Sequence, residues 1–202
     1  MHVFWEGHRI VNMSDSGKAG KRMGNGIIKK HQKTDITSRP LIISYSYSGN
    51  THRIAQEICV ATGGDWCEIY PWQPYPMAFP ELLDQVRKEV QTEYRPRLLP
   101  GSNNPKPYQV IFAGSPNWCG TIAPPLASWL ARNDLSGKII LPFYSHCGGV
   151  ACDFRRDIAR ICPGADVREA LGVIADSSTD WSEMLREWIA LMYKEVLYSD
   201  AG

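Results

Sequence analysis

No stretch of about 20 consecutive apolar residues, the length a membrane-spanning helix requires, occurs in this chain. Its longest apolar runs are short, such as Leu41-Ile42-Ile43 and Val110-Ile111-Phe112-Ala113. The N-terminus also lacks the apolar stretch of about 7–15 residues that marks a secretory leader. The expectation is a chain without a membrane span or leader. Neither sign of charge dominates, with 22 Lys and Arg against 21 Asp and Glu. That balance excludes the strong field of a nucleic-acid binder. None of the six cysteines, Cys59, Cys67, Cys119, Cys147, Cys152 and Cys162, forms a C-x-x-C pair. Zinc and thioredoxin-like sites are therefore not indicated. Six cysteines in 202 residues are also too sparse for a disulfide scaffold, so free thiols in a reducing cytoplasm are expected. The lysine-bearing phosphate loop of nucleoside triphosphatases and the G-x-S-x-G elbow of hydrolases are both missing. Gly24-x-Gly26 lacks a third glycine and a preceding strand, so it is no dinucleotide motif.

Hydrophobic residues make up 44% of the 202-residue chain, enough for one domain with a full core. Charge is unevenly placed. Residues 1–36 hold seven Lys and Arg against three Asp and Glu and show no sustained periodicity. They read as a flexible basic extension, and residues 37–202 read as the folded domain.

Within that domain, apolar runs alternate with amphipathic stretches. Strands are expected at 41–46, 66–70, 110–113, 139–143 and 167–175. Pro142 removes a ladder donor, so it should lie near a strand end. Helices are expected with inner faces Ile54, Ala55, Ile58 and Ala61; Leu82, Leu83, Val86 and Val90; Leu126, Trp129 and Leu130; and Phe154, Ile158 and Ile161. A last helix, capped by Asp180, carries Trp181, Met184, Leu185, Trp188, Ile189, Met192 and Val196. Five strands alternating with five helices imply an open, doubly wound parallel α/β sheet with helices on both faces. Ligands in such sheets bind beyond the carboxyl ends of the strands.

Three turns lie at those ends. Ser46-Tyr47-Ser48-Gly49-Asn50-Thr51 precedes a helix. Hydroxyls, a glycine and the unpaired N–H groups of a helix N-terminus suit a phosphate, although an ordinary Ser/Thr helix cap accounts for the same residues equally well. Gly114-Ser115-Pro116-Asn117-Trp118-Cys119-Gly120-Thr121 places a tryptophan where a flat ring can stack. Ser145-His146-Cys147-Gly148-Gly149 exposes backbone N–H groups to a heterocycle's edge. Together they describe a site for a mononucleotide with a large planar ring. Ser145-His146 is not read as a hydrolase pair, because sequence neighbours seldom face each other for proton transfer. A phospho-receiver is excluded because Ser44-Tyr45-Ser46 replaces the acidic residues it needs.

With all three turns in order over about residues 40–198, the sequence resembles the flavodoxin family. Ser46, Ser48, Gly49 and Thr51 match its [ST]-x-[ST]-G-x-T signature. Gly114, Pro116, Trp118 and Gly120 match the G-x-P-x-W-x-G loop of one branch, and the third turn matches that branch's Ser/Thr-x-Gly-Gly segment. The resemblance implies strand order 2-1-3-4-5 in the short-chain form, and flavin mononucleotide (FMN) as cofactor. Ser46, Ser48, Asn50 and Thr51 would then hold the phosphate, and Tyr47 would face solvent or the ribityl chain. Trp118 would flank the ring within the 115–120 turn, where the backbone around Cys119 and Gly120 would meet flavin N5. Residues 145–149 would meet the pyrimidine edge or the ribityl side. The function implied is electron transfer to a redox partner protein or small-molecule acceptor. The alternative is an FMN-dependent NAD(P)H reductase of quinone-like acceptors, which a near-neutral domain leaves open. The third reading is a binding module of the same fold without flavin. No metal site is indicated.

Overall fold

The structure, a computed structural model, describes residues 39–101, 104–148, 151–175 and 180–199, with side chains given through residue 192 of the last helix. The proposed extension 1–36, Gly149 and the Val196 side chain lie outside the described residues. The strands are β1 (Leu41–Ser44), β2 (Asp65–Glu68), β3 (Val110–Trp118), β4 (Thr121–Ile122), β5 (Ile139–His146), β6 (Asp166–Val167) and β7 (Leu171–Ile174). The helices are α1 (Asn50–Thr62), α2 (Phe79–Gln91), α3 (Pro124–Arg132), α4 (Phe154–Ile161) and α5 (Ser182–Ser199). The sheet runs β2-β1-β3-β5-β6; β7 continues alongside β5, and β4 pairs antiparallel with β3. With β6 and β7 sharing one position, this is the expected 2-1-3-4-5 order.

Why the strands are apolar throughout follows from the two cores. Leu41, Ile43, Ile111, Ala113 and Ile140 pack with Leu82, Val86, Leu126, Trp129 and Ile158. Ile42, Val110, Phe112, Leu141 and Phe143 pack on the other face with Ile54, Ile58, Leu185 and Trp188. Side chains alternate across a strand, so a sheet covered on both faces must be hydrophobic at every position.

The structure corrects several expectations. The last strand is two segments, interrupted at 168–170. Pro142 is the fourth residue of β5, opposite Ala113, and not at its end. Ile140 accepts an N–H from Arg168, and His146 accepts one from Ala175, on the outer side of β5. Alternation points residue 142 to that same side, where the interruption lies. The proline's missing donor therefore falls where the ladder is already interrupted. Strand β3 extends past Ala113 through Trp118, because Gly114, Ser115 and Pro116 pair with Phe143, Tyr144 and Ser145. Gly114 is required there, since an added Cβ would lie 2.1 Å from Phe143 Cζ. Ala61 and Met184 are exposed, because the apolar stripes turn inward at Ile58 and Leu185 instead. Asp180 Oδ1 accepts the Ser182 N–H at 3.0 Å at the start of α5.

Candidate functional site

Strands β1, β3 and β5 end on the same edge of the sheet, and their following segments meet there. After β1, Gly49 sits at the N-cap of α1 with φ 89° and no atom within 4 Å of a hypothetical Cβ. Only glycine adopts that left-handed conformation freely. It has no side chain to cap the helix, so the first-turn N–H groups of α1 face outward without an intrahelical partner. Ser46 Oγ accepts the Gly49 N–H at 3.1 Å, and Asn50 Nδ2 donates to Ser48 Oγ at 3.0 Å. These contacts hold the Ser46 and Ser48 hydroxyls beside the helix start.

Two of the expected phosphate or flavin contacts are joined to each other. Thr51 Oγ1 and Ser145 Oγ lie 2.8 Å apart, both buried, and lock the turn after β1 to the end of β5. Tyr47 is partly buried, with its hydroxyl turned to the protein and not to solvent. Its hydroxyl donates to the Pro76 carbonyl at 2.7 Å, and its ring meets Trp118. Ser115 is fully buried; it accepts the Ala123 N–H and donates to the Pro116 carbonyl, each at 3.0 Å. It braces the strand and does not line a cleft.

Beyond Trp118 the chain turns back in a two-residue hairpin. Cys119 has φ 54° and Gly120 φ 85°, with Trp118 paired to Thr121. Two left-handed residues between paired strand ends make a type I′ turn, whose twist matches the strands. Asn117 Oδ1 closes it by accepting the Gly120 N–H at 3.0 Å. Trp118 is half-buried. Three tyrosine rings meet it edge to face: Tyr75 at 4.9 Å, Tyr45 at 5.5 Å and Tyr47 at 5.8 Å. After β5, Gly148 has φ 89° and donates its N–H to His146 Nδ1 at 3.1 Å.

These segments enclose a cleft of about 310 Å³. Of the expected residues, Ser48 and Asn50 line it from the first segment, and Pro116, Asn117, Trp118 and Cys119 from the second. Ser145, His146, Cys147 and Gly148 line it from the third. Ser46, Tyr47, Gly49, Thr51 and Gly120 are not among the residues that line it. Sequence reasoning missed the remaining wall, formed by Phe79, Leu82, Leu83 and Val86 of α2 together with Ala175. The α2 stripe was read as core, which Leu82 and Val86 also are. The available signal was Phe79, an aromatic at a helix start, and it is 69% exposed. No Lys, Arg, Asp or Glu lines the cleft among the described residues. Cys119 and Cys147 are both exposed free thiols within it.

A second cavity, of about 340 Å³, lies past Cys119 among α2, α3 and α4. Its charges are largely engaged with one another: Arg160 with Glu93 at 3.2 Å, and Asp157 with Arg156 and the Thr121 hydroxyl. That cavity is lined by Tyr94 and the proline start of α3 at Pro124, whereas the cleft joins the uncapped start of α1 to Trp118.

Among curated proteins, none matches this sequence. Among solved structures, a candidate flavoprotein from Bacteroides eggerthii DSM 20697 is 24% identical, with TM-score 0.66 over 76% of this chain and 96% of that one. A second, from Bacteroides uniformis ATCC 8492, is 21% identical, with TM-score 0.66 over 75% and 97%. A flavoprotein from Lactobacillus acidophilus NCFM, solved in complex with FMN, is 20% identical, with TM-score 0.57 over 69% and 94%. These likenesses show a shared fold. A family model described as flavodoxin matches residues 39–192. With most of its length inside that match, the chain belongs to the flavodoxin family.

Proposed function

We propose that the cleft binds FMN and that the protein carries electrons to a partner protein or small acceptor. The observation that supports this most is the uncapped N-terminus of α1 beside a ring-lined apolar cleft. A phosphate is favoured at such a terminus by outward N–H groups and the helix dipole, without a lysine. Ser46, Ser48 and Asn50 would hold it with the α1 amides. Trp118 and the α2 wall would bound the flavin ring, and the backbone at Cys119 and at His146–Gly148 would meet its polar edges. Thr51 and Ser145 would act by holding two of these segments together. Bound FMN supplies the redox chemistry, and the chain supplies orientation and tuning. Six free thiols support a reducing compartment such as the cytoplasm. Among the described residues, no helix is long and apolar enough to cross a membrane. On this reading residues 37–202 form the flavin-binding domain and residues 1–36 an extension to it.

A second reading, an FMN-dependent reductase of small acceptors, is favoured by one observation. Among the described residues, the cleft lining carries no carboxylate to disfavour an anionic reduced ring, unlike a site built for low potential.

The test is binding of FMN and riboflavin to the purified chain, followed by absorption spectra during stepwise reduction. FMN should bind far more tightly than riboflavin, and Gly49→Val should remove that preference. Equal affinity for both ligands, or wild-type FMN affinity in Gly49→Val, would overturn the assignment. Reduction in single-electron steps supports a carrier, and a direct two-electron step supports a reductase.

A further inference from the structure

Glu89 sits on the inner face of α2, and the residue is only 7% exposed. A carboxylate there is costly unless its oxygens are satisfied, and an apolar residue would serve the packing of α2 as well. Both oxygens are occupied. Oε2 accepts the Tyr75 hydroxyl at 2.5 Å, and Oε1 accepts Gln85 Nε2 at 2.8 Å. Tyr75 belongs to the proline-rich connection between β2 and α2, which has little regular structure to fix its side chains. Burial, and then the bond to Glu89, push the Tyr75 ionisation upward, so its hydroxyl remains a donor. The same tyrosine ring meets Trp118, with centroids 4.9 Å apart and planes at 76°. Tyr75 is thus gripped at its hydroxyl and bears on the tryptophan with its ring.

We infer that Glu89 is a positioning residue, which acts through the Tyr75 hydroxyl to fix the ring against which Trp118 rests, and so sets the face that Trp118 offers to the cleft. This rests on the proposed FMN site for its consequence, but not for its geometry. An edge-to-face aromatic contact is worth enough to decide an indole's orientation. Tyr45 and Tyr47 come from the segment that ends β1, whereas Tyr75 ties its ring to α2 through the hydroxyl bond to Glu89.

Two variants of the full chain test this. The double variant Tyr75→Phe, Glu89→Leu removes both polar partners together, leaving no buried carboxylate behind. Glu89→Gln keeps an amide oxygen that can accept the Tyr75 hydroxyl but removes the charge. In the ligand-free chain, the Trp118 indole N–H resonance, assigned by its loss in Trp118→Phe, should move in the double variant and stay in Glu89→Gln. With FMN, the ratio of oxidised to reduced dissociation constants should change by about 2- to 10-fold in the double variant, the range expected from one aromatic contact. It should remain near the wild-type value in Glu89→Gln. An unmoved indole resonance in the double variant would overturn the inference, whatever the flavin does. So would a Glu89→Gln shift as large as that of the double variant, since the charge and not the grip would then be at work. Failure of the wild-type chain to bind FMN would instead overturn the proposed function and leave the resonance test standing.

Discussion

Replacing Trp118 by alanine separates two roles that its position allows. The indole is half-buried and meets Tyr45, Tyr47 and Tyr75 edge to face. A fully buried aromatic costs about 3–5 kcal/mol on truncation to alanine, so a half-exposed one should cost about 2–3 kcal/mol of stability. That loss is expected whatever the cleft binds. A second effect is expected only if the indole contacts a flavin. An aromatic contact worth about 0.5–1.5 kcal/mol favours the oxidised ring over the electron-rich reduced one, because π-faces repel as charge accumulates. Removing it weakens oxidised FMN selectively and makes reduction easier, so the midpoint potential should rise. With about 30 mV equivalent to 1.4 kcal/mol for a two-electron couple, the rise should be about 10–30 mV. Potentiometric titration measures it, alongside denaturant unfolding of the ligand-free chain. Equal loss of affinity in both redox states with an unshifted midpoint would refute the contact and leave Trp118 as a brace for the hairpin.

Three further outcomes are expected. Cys119→Asn should raise stability by about 0.5–1 kcal/mol in urea unfolding, because φ 54° strains a cysteine and suits asparagine in a type I′ turn; a loss would contradict the hairpin. Gly114→Ala should cost at least about 1–3 kcal/mol, since its Cβ would overlap Phe143, and Phe143→Leu should recover part of that; an unchanged unfolding midpoint would show that β3 and β5 pack otherwise. Burial and the bond to Glu68 push Tyr70 up to about 12, and the bond to Cys152 and burial do the same for Tyr144. Both hold protons that the unfolded chain, near pH 10, has already lost. Their stabilisation is therefore complete below pH 10 and lost as pH rises through about 12, and phenolate absorbance at normal values in the native protein would disprove it.

What could be read from the chain, and what could not, divides along local and non-local physics. The runs Leu41–Ile43, Val110–Ala113 and Ile139–Leu141 announced buried strands because both faces of the sheet are covered. The glycine and hydroxyls of 46–51 announced a helix start at the binding edge. The extension of β3 was hidden, because Gly114, Ser115, Pro116 and Asn117 are turn-forming residues held straight largely by pairing with β5. Pro142 misled for the same reason: its place inside β5 is tolerable only because of the interruption at 168–170, on another strand. Thr51 and Ser145 both appeared as ligand contacts, and their mutual bond spans 94 positions that no local pattern connects. The buried Glu89 has no counterpart in any periodic rule. An acidic residue on an apolar helix face reads as solvated until Tyr75 is seen beside it.

The interruption between β6 and β7 also bears on how readily another chain could add to the sheet. An edge strand presents unpaired N–H and C=O groups that invite pairing with another chain, and long flat edges are the most hazardous. Here the outer edge is divided into pieces of two and four residues. Neither offers the continuous ladder that intermolecular strand addition needs. Should these pieces peel away during a fluctuation, the strand uncovered beneath them is β5, whose outward donor row is missing a rung at Pro142. A proline that looks out of place in a central strand thus becomes a second barrier to sheet growth, behind an edge already too broken to serve as a template.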